Sequence, residues 1–161
     1  MKHILFIFCL SCLSFVVFAQ QNVLITQTGC AGRVAYSVDD YPLSLKTGKL
    51  QMPDVKPEYE YGRSGLLNFF TKYPLPEYQS QLADFQVNIA FVVSCKGELG
   101  DYVLLSKHEG EAADVARYLL NLARNMPSHW MPAKVKGMFT DSWQVLMIKV
   151  KEGQVVSVQG K

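Results

Sequence analysis

The strongest constraint on the fold lies in residues 85–106, where apolar side chains recur at every second position. In the first half these are Phe85, Val87, Ile89, Phe91 and Val93. A period of two is typical of a β-strand with one buried face. Residues 94–97 form a short segment that ends in glycine, and a second apolar run follows over 99–106. The stretch therefore predicts an antiparallel hairpin with a tight turn.

Residues 1–19 have the pattern of a secretory signal peptide. A short polar start precedes an unbroken run of apolar and small residues over 4–18, and small residues ending in Ala19 supply a cleavage site. We expect cleavage after Ala19, which places the mature chain in the periplasm or outside the cell without stable membrane insertion. Two alternatives stay open. One is an uncleaved anchor, although the run is shorter than the roughly 20 residues that span a bilayer, and the other is a lipoprotein signal at Cys12.

The rest of the chain suits one domain with an extension at its start. Residues 20–56 are irregular, and Pro42, Gly48 and Pro53 are spaced too closely for a long element. We therefore predict an N-terminal extension over 20–56 that packs on a domain formed by residues 57–161. The formal net charge of +2 is near neutral, so it gives no reason to expect nucleic acid or an anionic membrane as a partner.

Two cysteines, Cys30 and Cys95, remain once the signal peptide is removed. An exported protein folds in an oxidising compartment, where an even number of cysteines favours disulfide formation. We expect a disulfide between Cys30 and Cys95. The alternative is two separate thiols, because the sequence does not fix the distance between them.

Two helices are predicted, one on each side of the hairpin. Ser64 can cap the first helix, and Pro74 stops it at Tyr73. Its apolar stripe contains Leu66, Leu67, Phe69 and Phe70. Residues 111–126 form the second helix, with apolar side chains at spacings of three and four and Pro127 at its end.

A further strand is predicted over residues 142–150, with apolar side chains on both faces. One face carries Leu146, Ile148 and Val150, and the other carries Trp143, Val145 and Met147. A turn at 151–154 leads to a short final strand over 155–158. The order helix, strand, strand, helix, strand predicts an α+β fold, a two-layer sandwich in which a small antiparallel sheet carries two helices on one face.

The sheet face away from the helices is expected to be apolar as well. The return strand of the hairpin is predicted to direct Tyr102 and Leu104 to that face, beside Trp143, Val145 and Met147. Its other residues, Leu99, Val103 and Leu105, would face the helices. Exposed apolar patches of this kind usually mark a contact. We expect residues 23–61 to cover this face, and a dimer partner is the alternative.

Several strings, taken in order, resemble the C-terminal domain of the TonB family. Residues 57–63, Pro-Glu-Tyr-Glu-Tyr-Gly-Arg, resemble the string that enters the domain, and the helix that follows ends in Tyr-Pro as in the family. Residues 87–99 resemble the family's first hairpin. Residues 130–133, Trp-Met-Pro-Ala, resemble its Trp-x-Pro-Ala signature, and residues 137–150 resemble its closing strand.

The resemblance covers about residues 57–150 and implies a protein-binding module in the envelope of a Gram-negative bacterium. Arg63 stands where the family has a second glycine, and Ser94 and Cys95 replace acidic residues of the turn. A full TonB protein also carries a membrane helix and a long linker, whereas this chain has a cleavable leader and a short extension. The resemblance therefore implies a free-standing domain, accessory to TonB-dependent outer-membrane transport or to envelope assembly.

In the TonB family, partner peptides add a strand to the sheet edge through main-chain hydrogen bonds. Carried onto this chain, the resemblance implies a partner-binding edge formed by Trp143, Gln144, Val145, Leu146, Met147, Ile148 and Lys149. The expected partner is an outer-membrane receptor or another envelope protein. The alternative stays open that residues 155–158 fold back against this strand and occupy its edge.

The sequence gives little support for an enzyme, and we expect no catalytic residue, cofactor or metal. His108 and His129 do not stand at metal-ligand spacing from another histidine or cysteine. A Cys30 nucleophile with one of these histidines as its base is the weaker alternative. Trp130 is interpreted as a cap on the core rather than as a partner anchor. The second function that the sequence allows is a secreted structural protein of the same fold that associates with itself as a homodimer.

Overall fold

The structure is a computed structural model that describes residues 34–36, 41–47, 51–76 and 84–161. The predicted signal peptide, residues 1–19, lies outside the described residues, and so does Cys30. The described part of the chain contains one large sheet, a two-stranded sheet and three helices. This mixed architecture agrees with the predicted α+β class.

The strands and helices of this part are numbered along the chain. The strands are β1 (Val34–Tyr36), β2 (Glu58–Tyr59), β3 (Phe85–Val93), β4 (Leu99–Leu104), β5 (Trp130–Met131), β6 (Ala133–Val135), β7 (Met138–Lys151) and β8 (Gln154–Gly160). The helices are α1 (Tyr41–Thr47), α2 (Gly62–Thr71) and α3 (Gly110–Arg124).

β7 lies at the centre of the large sheet. On one side it pairs antiparallel with β3, from Ser142 opposite Val93 to Val150 opposite Phe85, and β4 pairs with the far side of β3. β7 also pairs antiparallel with β8 and parallel with β1. β6 forms a hairpin with the start of β7, and β2 pairs with β5 in the small sheet.

The predicted hairpin, the two long helices and the final strand are confirmed, with shifted bounds. The hairpin turn closes where the Gly97 amide donates to the Ser94 carbonyl at 2.8 Å, and Gly97 has a φ of +80° that favours glycine. The segment after α3 differs from the prediction, because residues 128–133 contain β5 and the start of β6 instead of a loop. Strands this short leave no readable period in a sequence.

The main core lies between the large sheet and helices α2 and α3. The predicted face formed by Leu146, Ile148 and Val150 is buried there. β3 contributes Val87, Ile89, Phe91 and Val93, and the helices contribute Leu66, Phe70, Val115, Ala116, Leu119, Leu122 and Ala123. Burying one such aliphatic or aromatic side chain stabilises a fold by about 1.5–3 kcal/mol. This cluster is therefore the main source of stability in the described part.

The opposite face of the sheet is covered by α1. Leu43 is 0% exposed and belongs to a second buried cluster with Ala90, Val92, Trp143 and Val145. Pro42 is the second residue of this short helix, where proline is tolerated because the first turn lacks an intrahelical acceptor for its amide position. Two details of the predicted two-layer sandwich are therefore wrong. Helices lie on both faces, and the parallel pairing of β1 makes the sheet mixed rather than purely antiparallel.

β4 contains a bulge that changes which of its residues face the long helices. Asp101 and Tyr102 together oppose Phe91, a single residue of β3. Asp101 takes a left-handed φ of +51°, which aspartate tolerates better than most residues. The strict alternation is broken at this point, and Tyr102 and Leu104 pack on the main core. The prediction that they face the other side is wrong, because a period of two assumes an unbroken ladder.

The burial of Tyr102 predicts a pH-dependent stability. Tyr102 stacks on Phe91, with ring centroids 5.7 Å apart. Burial raises the pKa of Tyr102 to about 12, against 10.0 for an ordinary tyrosine. The stabilising contribution of the neutral hydroxyl is therefore complete below about pH 10 and lost as the pH rises through about 12.

We expect the free energy of unfolding to fall less steeply between pH 10 and 12 in a Tyr102→Phe variant than in the wild type. Urea unfolding at each pH measures both slopes, and lysine titration affects the two proteins equally. Parallel slopes would show that Tyr102 ionises as it does in the unfolded chain.

Truncation of Leu43 tests how much α1 contributes to the fold. Leu43→Ala removes a fully buried side chain and is expected to lower the free energy of unfolding by about 2–5 kcal/mol. Leu45→Ala, in the same helix, is the matched control because Leu45 is 69% exposed. It is expected to change the free energy of unfolding by less than about 0.5 kcal/mol. Urea unfolding compares the two variants. Equal losses would contradict a specific role for the Leu43 contact.

Candidate functional site

The strand predicted as the partner-binding edge lies inside the sheet. Every residue from Trp143 to Lys149 pairs with β3. Trp143 pairs also with β1, and Leu146–Lys149 pair also with β8. The prediction of an edge strand is therefore wrong for β7. The alternative left open by the sequence, a final strand that folds back against it, is the arrangement observed.

The residues of the predicted site consequently lie in different environments. Trp143 and Val145 face α1, and Leu146 and Ile148 are buried in the main core. Met147 is half-buried, and Lys149, near the C-terminal end of β7, is exposed. Of the seven, the polar residue that is buried is Gln144, which is 4% exposed.

A short gap separates β1 from β8 along β7, and Gln144 closes it. Tyr36 pairs with Trp143 and Gly160 pairs with Leu146, so neither strand pairs with the backbone of Val145. Instead, the Val145 amide donates to Oε1 of Gln144 at 3.1 Å. The Val145 carbonyl accepts from the Lys161 amide at 2.9 Å. Both backbone groups are satisfied, so this gap is not a free edge.

Two strands, β1 and β8, are outer strands of the sheet on this side, and β8 is the longer. In an antiparallel ladder, alternate residues direct their backbone groups toward the partner strand and away from it. The Lys161 amide points to β7, so the backbone groups of Ser157 and Gln159 also point to β7. Those of Val158 and Gly160 point outward. Within the described residues, no strand pairs with this outward side.

Residues 157–160 of β8 carry no charge and no bulge. The edge strand β4, by contrast, is bulged and carries the acidic Asp101, and both features oppose strand addition. β8 contains no charged residue, and its register shift lies at its start, beside Val156. Residues 157–160 are therefore a regular, uncharged edge.

A pocket of about 290 Å³ lies at the Gly160 end of this edge. We call it the Gln144 pocket. It is lined by Lys56, Pro57, Glu58, Tyr59, Gly62, Arg63, Leu66, Trp130, Gln144, Gly160 and Lys161. Its aromatic wall is rigid, because Tyr59 packs on Trp130 at 5.4 Å and on Tyr61 at 5.6 Å between ring centroids.

The aromatic wall is held by the small sheet and the main core. Tyr59 of β2 pairs with Trp130 of β5, which places both rings side by side. Trp130 is 4% exposed and contacts Phe91 edge to face at 5.2 Å, which agrees with the predicted core cap. Burial, with smaller contributions from Tyr61 and Glu60, raises the pKa of Tyr59 above its usual value. The Tyr59 hydroxyl therefore stays neutral at physiological pH.

Sequence reasoning missed most of this site. The run of uncharged β-forming residues at 154–160 was a signal for an edge strand, but its pairing partner is set by the tertiary fold. The pocket joins residues from four separate stretches of the chain, near positions 56–66, 130, 144 and 160. No local motif marks such a combination.

The described part of the chain offers no clear site for metal or membrane insertion. No group of three or more His, Cys, Asp or Glu side chains in it could hold a metal ion. Nε2 of His108 lies 3.2 Å from the Gln86 carbonyl oxygen, and Nδ1 of His129 lies 3.5 Å from a Glu60 carboxylate oxygen. None of its helices has the length and apolar character needed to cross a bilayer.

Cys95 is the hairpin-turn residue and forms a disulfide. Its amide donates to Oδ1 of Asp141 at 2.8 Å, so the turn is also tied to the start of β7. The predicted partner, Cys30, lies outside the described residues. The Cys30–Cys95 pairing therefore stays a prediction.

Comparisons with protein-family models, with curated proteins and with solved structures return no match to this chain. The resemblance to the TonB C-terminal domain accordingly stays a prediction from the sequence.

The cysteine pairing can be tested by a double-mutant cycle. Cys95→Ala is expected to lower the free energy of unfolding by about 2–4 kcal/mol, because the unfolded chain loses its cross-link. If Cys30 is the partner, Cys30→Ala gives the same loss and the double variant gives no further loss. Urea unfolding under non-reducing conditions measures all four proteins. Additive losses would contradict the pairing, and treatment of the wild type with dithiothreitol provides the control.

Proposed function

We propose that this chain is an exported protein-binding module that captures an extended segment of a partner protein along the outward edge of β8. The observation that carries the proposal is the regular, uncharged edge at residues 157–160, whose outward amide and carbonyl groups belong to Val158 and Gly160. Strand addition to such an edge uses backbone groups for affinity and tolerates varied side chains.

The order of elements supports a module of the TonB C-terminal type. Apart from the short strands β5 and β6 that precede β7, the elements α2, β3, β4, α3 and β7 run in the order helix, strand, strand, helix, strand, with both long helices packed on one face of the sheet. A leader over residues 1–19 is consistent with a role in the envelope, accessory to outer-membrane transport or to envelope assembly. In this proposal the partner is an envelope protein, and the binding strand is β8 in place of the originally expected β7.

The strength of the edge limits what it can do alone. Val158 and Gly160 together offer two amides and two carbonyls, and each hydrogen bond contributes about 0.5–1.5 kcal/mol net. Four such bonds correspond to a dissociation constant on the order of 1 mM. A specific partner therefore needs a further anchor beside β8.

Self-association is the second candidate function, and the same edge favours it. Two copies could pair β8 with β8 across a two-fold axis, because an isologous contact needs only one self-complementary strand. This reading keeps the fold and replaces the partner segment by a second copy of the chain.

Site-specific photocrosslinking tests the proposal. A benzophenone amino acid at Val156, beside the β8 edge, is expected to crosslink an extended segment of an envelope protein in native membranes. The same label at Asp101 of β4 is the matched control and is expected to yield no such product. A synthetic peptide of the crosslinked segment should compete with the reaction. Recovery of crosslinked homodimers alone, by mass spectrometry, would favour self-association and contradict the partner proposal.

Amide hydrogen exchange gives an independent readout on the same strand. In the free protein, the Val158 and Gly160 amides are expected to exchange much faster than those of Ser157 and Gln159, which are protected by β7. Addition of the captured peptide should slow the first pair and leave the second unchanged. Protection of all four amides in the dilute free monomer would show that the edge is already occupied.

A further inference from the structure

The Gln144 pocket is lined by Trp130, whose buried indole donor has no acceptor in the described part of the chain. Buried polar groups in folded proteins nearly always find a partner, so such groups indicate a missing ligand when they line an accessible cavity. Gln144 and Trp130 are each 4% exposed, and both line the pocket.

The orientation of Gln144 is fixed by its own backbone. Its Oε1 accepts from the Val145 amide at 3.1 Å, so the Nε2 group is turned away from β7. Nε2 lies 3.0 Å from the position that a Cβ on Gly160 would occupy, which places it beside the pocket wall. The absence of a side chain at Gly160 leaves room for a ligand to approach it.

Trp130 supplies the buried donor that has no acceptor. Its Nε1 is buried and has no partner in the part of the chain that the structure describes. An indole nitrogen can only donate. This indole therefore calls for an acceptor.

The first turn of α2 adds further donors to the same pocket. Gly62 and Arg63 line it, and the amides of the first turn have no intrahelical acceptor and no side-chain cap. The first intrahelical bond is the one from the Gly65 amide to the Tyr61 carbonyl. Gly62 has a φ of +59° and open space where a Cβ would stand, so a ligand can reach these amides.

The charges at the pocket rim favour an anion. Lys56 and Arg63 line it, and neither forms an ion pair within the described residues. Lys161 also lines it, and Glu58 is the acidic side chain of the lining set. The helix dipole of α2 acts in the same direction as the two unpaired cations.

We infer that the Gln144 pocket binds a carboxylate group of the partner segment. A carboxylate accepts several hydrogen bonds at once and matches a guanidinium in two-pronged geometry. The Gly160 end of β8 forms part of the pocket, so a strand added to β8 would deliver a carboxylate there. That the carboxylate belongs to a partner segment rests on the proposed function, whereas carboxylate binding by the pocket does not.

Nuclear magnetic resonance of the full chain, labelled with nitrogen-15, tests the pocket directly. The probe is sodium acetate, compared with sodium chloride at equal ionic strength. We expect saturable shifts of the Gln144 side-chain amide and of the Trp130 indole N–H. Trp143 provides an internal control, because its indole lies outside the pocket lining and should not shift. Shifts that do not saturate, or that appear equally with chloride, would overturn the inference.

A pair of exposed arginines gives the matched variants. Arg63→Gln is expected to weaken acetate binding at least fivefold, because it removes a cation from the pocket. Arg117→Gln, on the exposed face of α3, removes the same charge elsewhere and should leave binding unchanged. Both side chains are exposed, so both variants are expected to fold. Equal affinity of the two variants would exclude a specific site.

Three hexapeptides of alternating threonine and valine distinguish the source of the carboxylate. One ends in a free carboxylate, one in an amide, and one in glutamate followed by an amide. Binding of the first alone identifies capture of a chain terminus, and binding of the first and third identifies any carboxylate. Equal binding of all three would overturn the inference.

The same spectra separate failure of the pocket from failure of the edge. If the peptides shift Gln144 and Trp130 but leave the Val158 and Gly160 amides unprotected, the carboxylate site stands and strand addition to β8 is contradicted. If those amides become protected without any shift of Gln144 or Trp130, the edge stands and the pocket inference falls.

Discussion

The architecture depends on the antiparallel pairing of β3 with β7. This ladder joins nine consecutive residue pairs, from Phe85 with Val150 to Val93 with Ser142. It brings Ile89 beside Leu146 on one face and Ala90 beside Val145 on the other, so one ladder supplies the centre of both buried clusters. The long helices, α1, β4 and β8 all pack on or pair with these two strands. A sheet with two apolar faces of this kind needs a cover on each side.

The position of the candidate site depends on which strands this ladder leaves at the outside of the sheet. Because β7 is central, its neighbour β8 becomes the outer strand. The first turn of α2, the small sheet and the end of β8 meet beside Gln144. The two polar atoms of the Gln144 side chain lie in different environments. Its Oε1 accepts from the Val145 amide of β7, and its Nε2 lies beside Gly160 at the pocket wall.

The spacing of apolar residues predicted the helices and strands that have a regular hydrophobic period. It did not predict which strands pair with each other. The hairpin at residues 85–106, α2 and α3 follow from spacings within a few residues of each other. The central position of β7 does not, because the alternation of Trp143 to Val150 is the same for an edge and an inner strand. The bulge at Asp101 also escaped, since a left-handed aspartate has no sequence signature of its own. The pocket combines four distant stretches of the chain, so only the tertiary fold reveals it.

The bulged β4 edge has a consequence for how the sheet can grow. A sheet with two open edges can add strands at both ends, and such addition has no natural stop. Here β4 is interrupted at Asp101, whereas residues 157–160 of β8 form a regular ladder with β7. In the proposed binding mode, strand addition is therefore opposed at β4 and favoured at β8. The distortion of β4 thereby limits growth of the sheet beyond β4.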